Sequence, residues 1–587
     1  MKSPRIVHAP LALSLLTTLT ASLALVLMPG EAEACGGTFC DTGPTVMPVD
    51  QSGENILFWT DDSGAEPYTE AHIQIQYEGD PERFAWIIPV TGVPEVQVGS
   101  QGLFDGVLDA STPTFTINTR LGDDCVGAGA NVGLCAFSSD GSLEVQNRGE
   151  TGFGEDEMGE EGGGPEILDR GFAGAFEYVV LTGDTVESIV DWLDVAGYAQ
   201  DEDAPPILQE YLDEGFVFVA VKLQSGVGVD EIHPLSIRYP GTEPCIPIRL
   251  TRIAATEDMA IRAFFLGEAR VVPQNWPHVV PNLLHLDWAG SPAADYNQMI
   301  SLALDEAGGR GFVTEYAGTD SVVNQAFIRN PAWSAGAFAE LEASKVVDVL
   351  EEQGLISCYA QGNDWQCDVT HAQVLPLLRR YLPAPDDLGE AEFWGCLDCF
   401  VEDIDPVAWG MEPGFREDFQ ARIVGPAEHA LDMLDDSAYL TRLFTLLSPH
   451  EMLEDPVFHS TDSMPTVDNS VTVGRVLSCN DSPDYFEIGD QIIALDGGAW
   501  PSFDDMPRVE RVERVPMTGP AQIETDNSEE IDVLLDDWNG DQLQGPSGWN
   551  CSVDRLRPEA LLTMMAIFGI AGFQRRRRRR AVNGAPS

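Results

Sequence analysis

Short runs of β-branched and aromatic residues, cut apart by Gly, Pro and Asp, dominate the first half of the chain. His72-Ile73-Gln74-Ile75-Gln76-Tyr77 alternates with a period of two, the spacing of a strand with one buried and one wet face. Further strands are expected over 56–59, 84–90, 113–119, 175–181, 216–223, 232–239, 246–253 and 259–266. Asp184 is a good N-cap for a helix with Val186, Ile189, Val190 and Leu193 on one face and Gly197 as its stop, and a second short helix runs from Pro205-Pro206 to Gly215. Beyond Asn330 the pattern turns helical: 337–353 has helix-forming composition with Gly354 as stop, and 370–381 is amphipathic. The expected fold class is α+β, a β-rich N-terminal domain with a few flanking helices followed by a more helical, disulfide-stapled C-terminal region.

The two ends read differently from this body. Residues 1–34 carry Lys2 and Arg5, an apolar run over 11–27, a Pro29-Gly30 break and a closing Ala32-Glu33-Ala34, which is a signal peptide with an A-x-A cleavage site. Cys35 follows directly, but Glu33 sits badly with a lipoprotein signal. At the other end 560–573 lacks charge and six arginines follow at 575–580. As a helix these residues reach about 21 Å, short of the ~30 Å hydrocarbon core, so they stop transfer and anchor poorly, with the arginines on the cytoplasmic side. The expected organisation is therefore signal peptide 1–34, a β-rich domain over 35–335 with an acidic Gly-rich loop at 148–165, a helical and irregular region over 336–550, and a tail over 551–587. An ordinary single-pass anchor is the alternative reading of that tail.

Charge then narrows the partners. Against 32 Lys+Arg stand 96 Asp+Glu, a formal net charge of −64. Such a field repels phosphate backbones, so no nucleic-acid partner is expected, while 44% hydrophobic residues are enough for a sizeable core. The chain has eleven cysteines. With Cys551 assigned to the tail, an even number remains in an oxidising compartment, and close spacing pairs Cys35 with Cys40, Cys125 with Cys135, Cys358 with Cys367 and Cys396 with Cys399, which leaves Cys245 and Cys479 for a long-range bridge. A redox or zinc role for Cys396-Leu-Asp-Cys399 is the sharper alternative, though no βαβ pattern stands beside it.

Catalytic signatures are missing: the sequence contains no H-E-x-x-H, no G-x-S-x-G, no P-loop and no Rossmann fingerprint. His278 and His285 with Asp287 come nearest to a cluster, in an apolar segment where a histidine more often serves a backbone carbonyl. Asp536, Asp537, Asn539 and Asp541 place oxygen ligands at short spacing, so calcium is the cofactor to test, but the distal Glu of an EF-hand is absent and a solvated turn is favoured. No other cofactor is expected.

Cys35-Gly36-Gly37-Thr38-Phe39-Cys40, Pro48-Val49-Asp50-Gln51, Phe84-Ala85-Trp86-Ile87-Ile88-Pro89-Val90, Leu103-Phe104, Asp191-Trp192-Leu193, the 216–223 strand and Ile246-Pro247-Ile248-Arg249-Leu250 follow one another in this order. In this they resemble the secreted bacterial proteins grouped as domain of unknown function 2330, over about 35–335. Cys551, the short apolar segment and the arginine cluster resemble the C-terminal sorting tails of myxobacterial surface proteins, with one cysteine and a longer spacer than the commonest pattern. These resemblances imply an exported envelope protein, at the cell surface or in the periplasm, that meets the membrane through its tail and the export and sorting machinery on its way. They carry no catalytic residues over. The expected function is non-enzymatic binding or scaffolding; a secreted hydrolase with a site assembled from distant residues is the alternative.

Overall fold

The computed structural model describes residues 38–41, 50–78, 84–122, 165–183, 185–195, 198–199, 203–224, 232–253, 255–362, 364–479 and 483–543. The expected signal peptide over 1–34, Cys35, Cys125, Cys135, Asp184, Gly197, the Gly-rich loop up to residue 164, and 544–587 with Cys551 lie outside them, as does the side chain of Cys40.

Two sheets form the centre. One has six antiparallel strands in the order Glu166–Ala173, Phe176–Thr182, Val217–Leu223, Phe84–Val90, Thr38–Asp41, Tyr198–Ala199. The other has seven, in the order Val313–Thr319, Tyr439–Leu447, Ala255–Gly267, Asp50–Asp61, Tyr68–Glu78, Leu235–Pro240, Glu95–Val98, with one parallel pair between Ala255–Gly267 and Asp50–Asp61.

Side-chain parity shows how they stack. Ile56 and Phe58, Trp86 and Ile88, Val219 and Val221, and Ile261, Ala263 and Phe265 meet in one core between the sheets. The residues between them point the other way. Ile87, Phe218 and Ala220 pack against Ile189, Leu193, Leu208 and Tyr211 of helices Val186–Val195 and Ala204–Asp213. Leu57, Phe264 and Leu266 pack against Leu103, Phe104, Val107, Ala430 and Met433 of helices Gln101–Ser111 and Gly425–Asp435. The arrangement is helix, sheet, sheet, helix in four layers, and strands covered on both sides read as apolar at consecutive positions.

A helical lobe follows, with its own core from Trp333 to Ala427. The long helix expected over 337–353 is present only as Val346–Glu352, behind two 3₁₀ turns, and the next as Val374–Tyr381. Cys358–Cys367 bridges the hairpin of strands Ile356–Gln361 and Asp364–Val369, and Cys396–Cys399 closes the turn after helix Glu390–Gly395. The chain then returns to the body: strand Tyr439–Leu447 inserts between Val313–Thr319 and Ala255–Gly267 in the seven-stranded sheet. A boundary at 335/336 therefore does not separate two folding units, because the later region supplies an interior strand of the earlier one. Past it, strands Ser470–Leu477, Tyr485–Ile488 and Gln491–Ala494 join Thr114–Leu121 in a smaller sheet.

Three local expectations are corrected. Residues 246–253 do not form a strand; Ile248–Thr251 is a helical turn after Pro247, and the Arg249 N–H and guanidinium bond Asp455 instead of a neighbouring strand. Residues 536–541 are no turn but part of helix Ser528–Leu543. Cys245 does not pair with Cys479. It is a free, partly buried thiol whose pKa burial holds well above the ordinary range, in a bridge contact with Val457, whereas Cys479 is disulfide-bonded to another cysteine.

Candidate functional site

On strand Tyr68–Glu78 the period of two places Ala71 and Ile73 in the core between the sheets and Glu70 and His72 on the opposite face. That face is not wet, for Glu70 and His72 are each 1% exposed. Antiparallel register sets Arg238 beside Glu70 and Ser236 beside His72, and His429 comes down from helix Gly425–Asp435. Four side chains converge on one carboxylate. His72 Nε2 lies 2.8 Å and His429 Nε2 2.7 Å from Glu70 Oε1, and Ser236 Oγ donates to the same oxygen at 2.8 Å. Arg238 takes the other oxygen, Nε at 3.1 Å and Nη2 at 3.0 Å from Oε2. Burial alone would raise the Glu70 pKa, but the bonds from His429 and His72 override it and hold the group well below the usual carboxylate range. The imidazoles of His72 and His429 stack at 6.1 Å between centroids, and Trp59 sets its edge against His429 at 6.3 Å.

His429 is also the inner wall of a cleft of about 640 Å³ between the edge strand Glu95–Val98, the Phe172–Gly174 turn and the helical lobe. A volume of this size suits a small molecule. Its lobe side is built on a π-helical turn, Gln420–Val424, where a Cβ on Gly425 would stand 2.9 Å from the Gln420 carbonyl, so glycine is needed for the chain to pass. Arg422 on that turn and Arg380 beside it both line the cleft. Arg422 is 6% exposed, its guanidinium stands 3.5 Å from Asp418, and its Nε has no hydrogen-bond partner among the described residues. Asp418 also accepts from the Tyr381 hydroxyl at 2.9 Å.

The residues singled out from sequence lie elsewhere. Asp536 and Asp537 are turned about 100° from each other on the helix, while Asp537 and Asp541, four positions apart, share a face; among the described residues these carboxylates do not form a group of three metal-ligating side chains. Asn539 holds that helix to strand Gln491–Ala494, accepting from the Ala494 N–H at 2.9 Å and donating to the Ile492 carbonyl. His278 and His285 do not meet either. His278 sits with Thr314 and Arg270, while His285 serves the Pro507 carbonyl at 3.2 Å. Sequence reasoning missed the Glu70 group. The i, i+2 spacing of Glu70 and His72 was the available signal; nothing local announces His429, 357 positions further on.

The model of a family described as an uncharacterized protein conserved in bacteria, DUF2330, matches residues 29–343, more than half of the chain, and the chain belongs to this family. No curated protein and no solved structure matches it. Glu70, His72, Ser236 and Arg238 fall within the family region, whereas His429, Arg380 and Arg422 come from beyond it.

Proposed function

We propose that this chain is an exported cell-envelope protein, delivered and tethered through its tail, that binds a small anionic solute in the cleft between its β-rich body and its helical lobe. The observation that carries this reading is Arg422. The buried Nε–H of Arg422 lacks an acceptor among the described residues, and an unsatisfied buried donor costs roughly 1–3 kcal/mol. An anion in the cleft supplies the missing acceptor, and Arg380, which shares Asp418 with Arg422 at 3.5 Å, adds a second positive charge. In a chain of net charge −64, such a pocket is where an anion can be held against the general field. Export is supported by the disulfides of the lobe, which persist in an oxidising compartment.

Isothermal titration of the protein with citrate, glutamate and phosphate tests the proposal. At least one should bind with salt-sensitive affinity, and Arg422→Gln should weaken it at least tenfold while leaving the fold intact by circular dichroism. No binding by any of the three, or equal binding by the variant, would count against the cleft. A second reading, a secreted hydrolase, is favoured by the meeting of Glu70, His72 and His429 from distant parts of the chain; an ester and peptide hydrolysis screen of wild type beside Glu70→Gln separates the two.

A further inference from the structure

We propose that Glu70, His72 and His429 form a binding site for a transition-metal ion of the zinc type, reached from the cleft. The donor atoms are the Nε2 of each imidazole and Oε1 of the carboxylate, and all three lie within 4.8 Å of one another. Two neutral nitrogens and one anionic oxygen make a donor set that suits Zn²⁺ and its neighbours and is poor for Ca²⁺, which takes six or more oxygens.

The hydrogen bonding around Glu70 points the same way. Oε1 has two lone pairs but faces three donors at 2.7–2.8 Å, from His72, His429 and Ser236. One of the three is therefore in excess. Placing a cation among the two imidazoles and the oxygen removes this conflict, because each nitrogen then turns a lone pair, not a proton, toward the centre. The adjustment is small: a tetrahedral zinc site separates its N and O ligand atoms by about 3.3 Å, so each contact opens by about half an ångström.

Arg238, His72 and His429 each suit such a site. Arg238 grips Oε2 through two donors and so aims Oε1 at the histidines, as outer partners of metal ligands do. His72 is fixed by burial in the sheet face. His429, with 31% of its side chain exposed, borders the cleft and gives the ion a way in. Three protein ligands leave at least one coordination position for water or a solute.

The inference does not rest on the anion site, since His429→Ala leaves Arg422 in place and Arg422→Gln leaves the three donors. It is tested by titrating chelator-treated full-length protein with Zn²⁺ in competition with a chromophoric chelator, in excess Ca²⁺ to occupy the acidic surface. One Zn²⁺ per chain is expected, and His429→Ala, a change at a partly exposed helix position, should weaken it at least tenfold without lowering helix content. Co²⁺ in place of zinc should give visible d–d bands without a thiolate charge-transfer band, and His429→Cys should keep the ion and gain that band. Absence of stoichiometric zinc, equal affinity in His429→Ala, or a thiolate band in the wild-type cobalt spectrum, which would assign the ion to a cysteine, overturns the proposal.

Discussion

At the scale of single residues, His233 shows how burial chooses a protonation state. Its Nδ1–H donates to the Pro234 carbonyl at 2.8 Å and its Nε2 accepts from the Ala175 N–H at 3.0 Å, so the neutral ring is satisfied at both ends. A proton on Nε2 would set two donors against each other. Gly174 makes the approach feasible: it holds φ +62°, and a Cβ there would lie 2.1 Å from His233 Nε2. Desolvation, with Arg422 and His371 adding positive charge nearby, lowers the His233 pKa from 6.5 to about 4. The folded state thus binds this proton less readily than the unfolded one. Its contribution is fully present above about pH 6.5 and is lost as pH falls toward 4, to the extent of about 3 kcal/mol. His233→Gln keeps an acceptor for Ala175 but does not titrate. Melting temperatures of the two proteins should therefore converge between pH 6.5 and 4, against the general gain that protonating surplus carboxylates brings to both. Parallel profiles would show that His233 is not the group responsible.

At the scale of elements, alternation was legible along 72–77, while strands covered on both sides, as along 84–90 and 259–266, were legible as short runs of β-branched and aromatic residues bounded by Gly, Pro and Asp. What covers a side was not legible. The polar face of His72 and Gln74 reads as wet, yet helices Gln101–Ser111 and Gly425–Asp435 lie over that face of the sheet, and Gln74 spends its amide on Gln101 at 2.9 Å. Residues 246–253 have β-branched composition, but a remote carboxylate decides their shape. Asp455, 9% exposed, accepts from the Arg249 N–H at 3.0 Å, from Arg249 Nε at 2.9 Å and from the Tyr211 hydroxyl at 2.8 Å. These bonds tie the helical turn, helix Ala204–Asp213 and the segment before strand Phe458–Thr461 into one junction. Asp455→Ala leaves the Arg249 N–H and Nε and the buried Tyr211 phenol without that acceptor, while Glu214 still holds the guanidinium through two bonds, for an expected loss of about 3 kcal/mol. Denaturant unfolding measures it, and a loss under about 1 kcal/mol would mean that water replaces the carboxylate freely.

At the scale of the whole molecule, family membership and folding unit do not coincide. The family region ends at residue 343, but the seven-stranded sheet draws its second strand, Tyr439–Leu447, from nearly a hundred residues later. That strand is buried at eight of its nine positions and pairs on both edges, with Ala255–Gly267 and with Val313–Thr319. Helix Gly425–Asp435, which covers the sheet and carries His429, comes from the same later region. Composition shifts near 336 because the helical lobe begins there, so the boundary read from sequence marks a change of local structure inside one fold. A chain cut at residue 343 would keep every family motif, yet it would present two open interior strand edges and the apolar face of Leu57, Phe264 and Leu266 to water. Residues 35–343 produced alone in an oxidising compartment should therefore be insoluble or bind a hydrophobic dye and unfold without a cooperative transition. Residues 35–543 should give a sharp one. A soluble, cooperatively unfolding 35–343 fragment would show instead that the family region closes its sheet without the later strand, and that the site around Glu70 is assembled only when the lobe docks.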